Sequence, residues 1–380
     1  MNMPPPRTQT DWVLIGLLFA VGLFASGQFA KIALTLEPLS TAFPEAGRSL
    51  PFLVSLVGLT GILFGATAGL LAGRWGLRRV LISAMVGGGV LSLVEALMPP
   101  LPVFVVLRLL EGASHLSIVV CAPTLMVAAA ALRDRPVAMG LWGTFFGVGF
   151  ALLALVVPAL LALGGPSLVF ALHGAGLLLL AFLLWPRLPD IPQTSPRVGF
   201  VAQHLAIYRD PRVIAPGLGF LWYALQFLAL LTFLPAHLPP GAAVVLPLAS
   251  LLGSFGAGIL ARFWPAHRIA VGGFVASALA LALLLFLPEA LRLPMALLAF
   301  ALIGLIPGAI FAAIPELNAD SADQAKAQGA LAQMGNVGTT FGPPLFALVL
   351  WAGFPGLIGL AVATGLAGAA ILGLVLLRIR

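Results

Sequence analysis

Charged residues and cysteines are both scarce in this sequence. Only 8% of the 380 residues are Asp, Glu, Lys or Arg, against about a quarter in an ordinary soluble domain. So few charges cannot cover a water-facing surface, which excludes a soluble enzyme. The one cysteine, Cys121, excludes an internal disulfide framework and a cysteine-based metal cluster. We expect neither a metal nor a cofactor.

Long apolar runs make up most of the sequence, and 61% of the residues are hydrophobic. A helix needs about twenty such residues to cross a bilayer. Breaking the runs at Pro, Gly and charge clusters predicts an all-α integral membrane protein of twelve helices. The predicted spans are 12–36, 49–72, 80–98, 101–131, 137–163, 166–186, 214–235, 241–262, 267–288, 293–316, 327–352 and 354–377.

Basic residues provide an independent test of this topology. With both termini in the cytoplasm, the inner segments hold fifteen of the nineteen Lys and Arg residues, as the positive-inside rule requires. The net charge of +7 is therefore scattered between spans, which argues against a nucleic-acid partner. We expect a multi-pass protein of a bacterial-type inner membrane, with the lipid bilayer as its solvent and a monomer as the default assembly.

A proline-rich polar stretch divides the chain near its middle. We predict a six-helix bundle over 1–186, a cytoplasmic linker over 187–213 and a second six-helix bundle over 214–380. The halves also resemble each other, because Gly69-Leu-Leu-Ala-Gly-Arg-Trp-Gly after the second span matches Gly258-Ile-Leu-Ala-Arg-Phe-Trp-Pro after the eighth. Parallel repeats of this kind predict a binding site between the halves near mid-membrane.

Two motifs resemble those of the major facilitator superfamily. The loop from Gly69 through Gly73, Arg74 and Gly76 to Arg78 is similar to the family's signature between helices 2 and 3. Gly73 stands where the family has an acid that latches the two halves on the cytoplasmic side. The resemblance therefore implies a gating loop whose latch is weakened or rebuilt in this chain.

The second motif, Arg108-Leu-Leu-Glu111-Gly112, is similar to the family's Arg-x-x-Gln/Glu-Gly sequence, which is associated with substrate or proton coupling. The fifth span lacks the Gly-Pro pair of drug exporters, although Gly342-Pro343 occurs in the eleventh. The short run Met139-Gly-Leu-Trp142 also resembles the cyanate and nitroimidazole branch. The resemblance covers essentially the whole chain and implies two pseudo-symmetric halves that alternate access to a central site.

Ionisable side chains inside a membrane helix are expensive, and each is a candidate functional group. Arg108, Glu111, Gly112 and His115 are spaced so that they share one helix face. Lys31 lies at a similar depth on the first span and shares a face with the polar residues Gln28 and Thr35. Lys31 and Arg108 are thus predicted to converge on an anion, with His173 of the sixth span as a weaker third member.

Structural interpretations compete with each of these assignments. Arg108 can pair with Glu111 in a purely structural ion pair. Lys31 can extend to the outer membrane interface beside Glu37. His115 can be an interior histidine with no part in transport. The outer carboxylates Glu37, Glu45 and Glu95 are expected to lie on a solvated face, with a role in substrate entry as the alternative. Glu316, Asp320 and Asp323 are interpreted as ion pairs near Lys326 at the cytoplasmic side.

The second half contributes neutral polar and aromatic residues instead of charges. We predict that Tyr223, Gln226, Gln333 and Asn336 complete the substrate site, with helix packing as the alternative. The other candidates of this kind are Trp222, Ser250, Ser254 and Thr340.

Proton coupling is assigned to Glu111 and His115. An anion that displaces Glu111 from Arg108 favours Glu111 protonation, which links substrate and proton in one direction. The sequence therefore predicts a secondary transporter of a small, anionic solute with a proton as its co-substrate. The alternatives are an exporter of lipophilic compounds, favoured by Phe145, Phe146 and Phe150, and less so a membrane enzyme or a nontransporting sensor.

Overall fold

A computed structural model describes residues 9–50, 52–189 and 200–379, and in these ranges the chain forms helices and no strands. The first-half helices are α1 (Trp12–Ala33), α2 (Leu36–Ala42), α3 (Phe52–Trp75), α4 (Leu77–Glu95), α5 (Leu101–Ala129), α6 (Arg135–Trp142) and α7 (Phe145–Leu184). The later helices are α8 (Phe200–Arg209), α9 (Pro211–Phe233), α10 (Ala242–Leu260), α11 (Ala266–Leu283), α12 (Glu289–Leu317), α13 (Ser321–Ala347) and α14 (Gly353–Leu377).

Helical structure follows from the solvent, because a chain in lipid must satisfy its backbone hydrogen bonds internally. Polar residues appear where helices begin. The side chains of Asp11, Asp210 and Asp320 accept backbone N–H groups at the starts of α1, α9 and α13, at 3.0, 2.9 and 2.7 Å. Each aspartate satisfies a donor that the helix itself leaves unpaired.

Eight described helices are long and apolar enough to cross a membrane, or nine if the two arms of α3, bent by 70°, count as one span. The shorter α10 is apolar over Val244–Leu260, α13 is more polar than its neighbours, and α7 comprises two arms. The architecture is therefore consistent with the predicted twelve spans.

The chain reverses direction inside α7. Gly164 and Gly165 are non-helical, and Gly165 has a φ of +65°, which favours glycine. A Cβ built on Gly27 would lie 3.2 Å from Leu153 and 3.0 Å from His173. Since twenty residues of straight helix extend roughly 30 Å, Leu153 and His173 meet only because the two arms form a hairpin, as the sequence predicted at Gly164-Gly165.

The two halves meet at the end of the bundle where α1 begins. Asp134 accepts a hydrogen bond of 2.8 Å from Arg262, across the boundary between the halves. Close backbone contacts lie nearby, since a Cβ on Gly69 would be 2.5 Å from the Ala325 carbonyl oxygen. We refer to this as the latch end, marked by Asp134 and Arg262.

Some boundaries differ from the predicted ones. The first predicted span ends at Ala33, and the following residues form the separate helix α2. The fifth span is divided at Gly143-Thr144 into α6 and the first arm of α7. The predicted linker carries helix α8, while its residues 190–199 lie outside the described residues.

Candidate functional site

The predicted functional face of α5 is turned toward the interior of the first half. Arg108, Glu111, Gly112 and His115 are all buried. Gly112 is needed for this arrangement, because a Cβ there would collide with the Thr60 hydroxyl and lie 2.9 Å from the Val57 carbonyl oxygen of α3. The small residue lets α3 approach the helix that carries the charges.

Lys31 of α1 is completely buried and pairs with two carboxylates. Its Nζ lies 2.6 Å from Glu95 Oε2 and 2.7 Å from Glu111 Oε1. It also donates to Ser92 Oγ at 2.8 Å. All three donor directions of the ammonium group are thereby used.

Arg108 pairs with the other side of the same carboxylate. Its Nη1 donates to Glu111 Oε2 and lies 3.6 Å from Glu95 Oε1. Its Nη2 and Nε donate to backbone carbonyls, at 2.7 Å to Gln28 O and 3.2 Å to Leu53 O. One guanidinium therefore connects α1, α3, α4 and α5.

We refer to Lys31, Glu95, Arg108 and Glu111 as the charge cluster. All four side chains have no exposed surface, and two cations balance two carboxylates. Burial of an unpaired charge costs several kcal/mol, so this balance stabilises the cluster in its sealed environment. It also means that neither predicted cation is free to receive an anion in this conformation.

The predicted solvated position of Glu95 is wrong. It is fully buried at the end of α4 and joins the charge cluster. The signal was present, because Glu95 lies within the predicted span 80–98 among apolar residues, and a carboxylate inside a span is a functional candidate. Its position near the end of the span led to the opposite interpretation.

Two histidines lie beside the charge cluster. His173 Nδ1 is 3.1 Å from Ser92 Oγ and its Nε2 is 2.9 Å from the Phe24 carbonyl oxygen. A carbonyl only accepts, so Nε2 of His173 carries a proton. His115 lies one turn beyond Glu111, and its Nδ1 donates to Ala25 O at 3.0 Å.

An apolar layer covers the charge cluster away from the latch end. Phe43, Phe104 and Phe170 form a chain of ring contacts with centroid separations of 5.1 and 5.9 Å. The Lys31 ammonium lies 5.3 Å from the centroid of the Phe170 ring. The layer, which includes Leu39 of α2, keeps the four charges in a low dielectric, where their mutual attraction is strong.

The four predicted site residues of the second half are not brought together with the charge cluster. Gln333 donates to Ile62 O at 2.7 Å and accepts from Tyr208 at 2.6 Å, so it joins α13 to α3 and α8. Asn336 donates to Ala332 O within its own helix and packs against Gly58 of α3.

Tyr223 and Gln226 lie together on α9, buried within the second half. Tyr223 stacks on Phe227 with a centroid separation of 5.1 Å. Neither amide atom of Gln226 has a hydrogen-bond partner among the described residues, and its Oε1 packs near Gly365 of α14. These contacts place the Gln226 amide toward α14, inside the second bundle.

The predicted gating loop lies at the latch end. Gly69 and Gly73 face α13, Gly76 has a φ of +97°, and Arg74 is exposed. Arg78 donates to the Trp185 carbonyl oxygen at 2.8 Å, which ties the loop to the end of α7. The Asp134 carboxylate, which accepts from Arg262 at 2.8 Å, bridges the two halves at the same end.

Comparison with known proteins agrees with this architecture. A family model described as Major Facilitator Superfamily matches residues 14–343. The E. coli fucose:proton symporter FucP has a TM-score of 0.75 and 17% identity, over 95% of this chain and 98% of that one. A search of curated proteins finds no match.

Two further solved structures have the same fold. The proton:xylose symporter XylE, bound to 6-bromo-6-deoxy-D-glucose, has a TM-score of 0.74 and 17% identity, with 94% of each chain covered. The human organic anion transporter MFSD10 has a TM-score of 0.73 and 18% identity, over 97% of this chain and all of that one.

Proposed function

This chain belongs to the major facilitator superfamily and is a multi-pass membrane transporter rather than an enzyme; from that premise we propose that it is a proton-coupled symporter of a small organic or inorganic anion. The charge cluster is the observation that carries this proposal. It holds two carboxylates and two cations inside one bundle, at the helix motif that the family associates with coupling.

Proton coupling follows from the charge balance. With both carboxylates ionised the charge cluster is neutral, and with one proton bound it has a charge of +1. A small anion that enters near Arg108 and Lys31 restores neutrality, so proton and anion favour each other's binding by linkage. Symport by this route requires the anion to compete with Glu111 for Arg108.

The transport cycle proposed for this chain is rocking of the two six-helix halves, 1–186 and 214–380, about a site between them. Contacts such as Asp134 with Arg262 and Gly69 with α13 close the latch end. Basic residues of the loops favour a cytoplasmic location for this end and for both termini. The state described here is then closed to the cytoplasm.

The remaining predicted site residues take roles that fit their positions. His115 lies one turn from Glu111 and extends the coupling region along α5, and the Gln28 amide donates to Ser114 at 3.2 Å beside it. Tyr223, Gln226, Gln333 and Asn336 lie away from the charge cluster in this state, so their place in the substrate site stays a prediction. The fold itself is compatible with sugar and organic-anion transport and does not select the solute.

Thermal stability of the purified full-length chain tests this function. A ligand that binds the folded state raises the unfolding temperature, so we would compare small carboxylates and inorganic anions with neutral sugars, organic cations and lipophilic compounds. Stabilisation by an anion, stronger at lower pH and absent in Arg108→Ala, supports the proposal. Stabilisation by sugars alone overturns the anion assignment, and stabilisation by lipophilic cations alone favours an exporter.

A further inference from the structure

The two carboxylates of the charge cluster differ in how their oxygens are used. Glu111 accepts from Lys31 through Oε1 and from Arg108 through Oε2. Glu95 accepts from Lys31 through Oε2 at 2.6 Å. Its Oε1 is fully buried and has no hydrogen-bond donor among the described residues.

An ionised carboxylate oxygen that is buried without a donor is costly, and a proton on that oxygen removes much of the cost. Arg108 Nη1 lies 3.6 Å from Glu95 Oε1, which exceeds the distance of a hydrogen bond. A proton on Glu95 Oε1 therefore breaks no hydrogen bond, whereas each oxygen of Glu111 already accepts one.

Protonation of Glu111 has the opposite consequence. Lys31 and Arg108 both pair with this carboxylate, so its neutralisation would leave Arg108 with a single carboxylate at 3.6 Å. When Glu95 is neutral, both cations keep a direct contact with ionised Glu111. The two carboxylates are thus unequal, although each belongs to the same cluster.

We propose that Glu95, and not Glu111, carries the transported proton. The proton is taken from water on one side of the membrane, forms an O–H bond at Glu95 Oε1 and is released as H⁺ on the other side. Glu111 stays ionised between Lys31 and Arg108, where an entering anion competes with it. This inference rests on the proposed symport and names the residue that performs its proton step.

The groups that face Glu95 come from every helix around it. Lys31 extends from α1, Arg108 and Glu111 from α5, and His173 from α7 through Ser92. Lys31 and Arg108 favour the ionised form of Glu95, whereas Glu111 favours the protonated form. Removal of the Glu111 charge is therefore expected to hold Glu95 ionised, so both glutamates affect coupling and transport assays alone cannot separate them.

Infrared spectroscopy separates them because the carbonyl stretch of a protonated carboxyl group reports its own side chain. Spectra of the full-length chain in liposomes would be recorded as the pH falls from about 9 to about 6, a range in which exposed carboxyl groups stay ionised. We expect the natural chain to show a protonated-carboxyl band within this range. Its frequency should change in Glu95→Asp and stay the same in the matched variant Glu111→Asp.

A band whose frequency changes in Glu111→Asp and not in Glu95→Asp overturns the assignment, as does the absence of any such band. The infrared spectrum of Glu95→Gln is a second test, because this variant should lack the band completely. The inference and the proposed function can be contradicted separately. If uptake is proton-driven but the band frequency changes in Glu111→Asp, only this inference is contradicted. A band at Glu95 without proton-driven uptake of any stabilising anion contradicts only the symport.

Discussion

Arg108 is the residue on which the most contacts of the charge cluster depend. It pairs with Glu111 and donates to backbone carbonyls of α1 and α3. Loss of one partner of a buried ion pair costs roughly 3–5 kcal/mol when the other charge stays unpaired. Here the surplus carboxylate can take up a proton, which reduces the cost to stability.

Arg108→Ala is therefore expected to leave a folded protein that no longer transports. We predict a loss of anion uptake of about 100-fold, equivalent to about 2.8 kcal/mol at 1.4 kcal/mol per tenfold, in proteoliposomes at equal protein density. Arg187→Ala, which removes an exposed arginine, is the matched control. Uptake within about twofold of the natural chain in Arg108→Ala would remove this residue from the site.

Glu111→Gln leaves two cations facing Glu95 alone. Glu95 then remains ionised as their only counter-charge, so substrate exchange should continue while a pH gradient no longer drives accumulation. Counterflow and gradient-driven uptake would be compared in the same vesicles. Glu289→Gln, at an exposed position, should keep both activities; accumulation at the natural level in Glu111→Gln would exclude Glu111 from coupling.

Residue spacing alone predicted part of this site. The shared face of Arg108, Glu111 and His115 follows from helical periodicity, and the structure places Lys31 against it as expected. Periodicity within one helix carries no information about a partner on another, so neither the pairing of both cations with Glu95 nor the hydrogen bond from Lys31 to Ser92 was predicted.

At the scale of helices, small residues set how closely the halves approach. Gly61, Gly65, Gly69 and Gly73 follow one another at intervals of four along α3, which places them on one face. This face packs against α13, where a Cβ on Gly69 would be 2.5 Å from a backbone oxygen. A larger side chain there cannot fit unless α3 and α13 move apart or the backbone shifts.

Gly69→Val should therefore increase the separation of the halves at the latch end. Spin labels at Leu132 and Phe263, both exposed on opposite halves, would report the distance in a Cys121→Ala background. We expect the distribution to shift to longer distances. Gly87→Val is the control because a Cβ at Gly87 has no neighbour within 4 Å; equal distributions in both variants would contradict this packing role.

Helix boundaries were predictable where glycine or proline residues end or begin a helix. The reversal at Gly164-Gly165 and the start of α5 after Pro100 are examples. The division of the fifth span at Gly143-Thr144 was not predicted; a Cβ on Gly143 would lie 2.6 Å from the Ser254 hydroxyl oxygen of the other half. A contact of this kind belongs to tertiary packing, which a single sequence does not reveal.

For the whole molecule, the closed latch end depends on Asp134. The Thr10 hydroxyl donates to this carboxylate at 2.6 Å and holds its pKa below the usual value, with Arg133 and Arg262 acting in the same direction. Thr10 and Arg133 lie in the same half as Asp134, so only the Arg262 contribution is linked to closure; it stabilises the closed state above the ordinary pKa and is lost as the pH falls through the lowered one. Closure should thus be insensitive to pH between about 5 and about 8.

Asp134→Asn is expected to shift the molecule toward the state that is open at the latch end. Because Arg262 is 42% exposed, we expect loss of this ion pair to destabilise the closed state by about 0.5–1 kcal/mol. The ratio of closed to open molecules then falls about twofold to fivefold. The same spin-label pair measures it. Asp323→Asn removes an ion pair with Lys326 within one helix and should leave the ratio unchanged; a shift of equal size there would contradict the latch.

Proton uptake that accompanies anion uptake is the most direct test of the account. The chain would be placed in lightly buffered proteoliposomes, a stabilising anion added outside, and the external pH recorded. We predict alkalinisation with the natural chain and none with Arg108→Ala. Anion uptake by the natural chain without a change in pH would contradict proton coupling through the charge cluster.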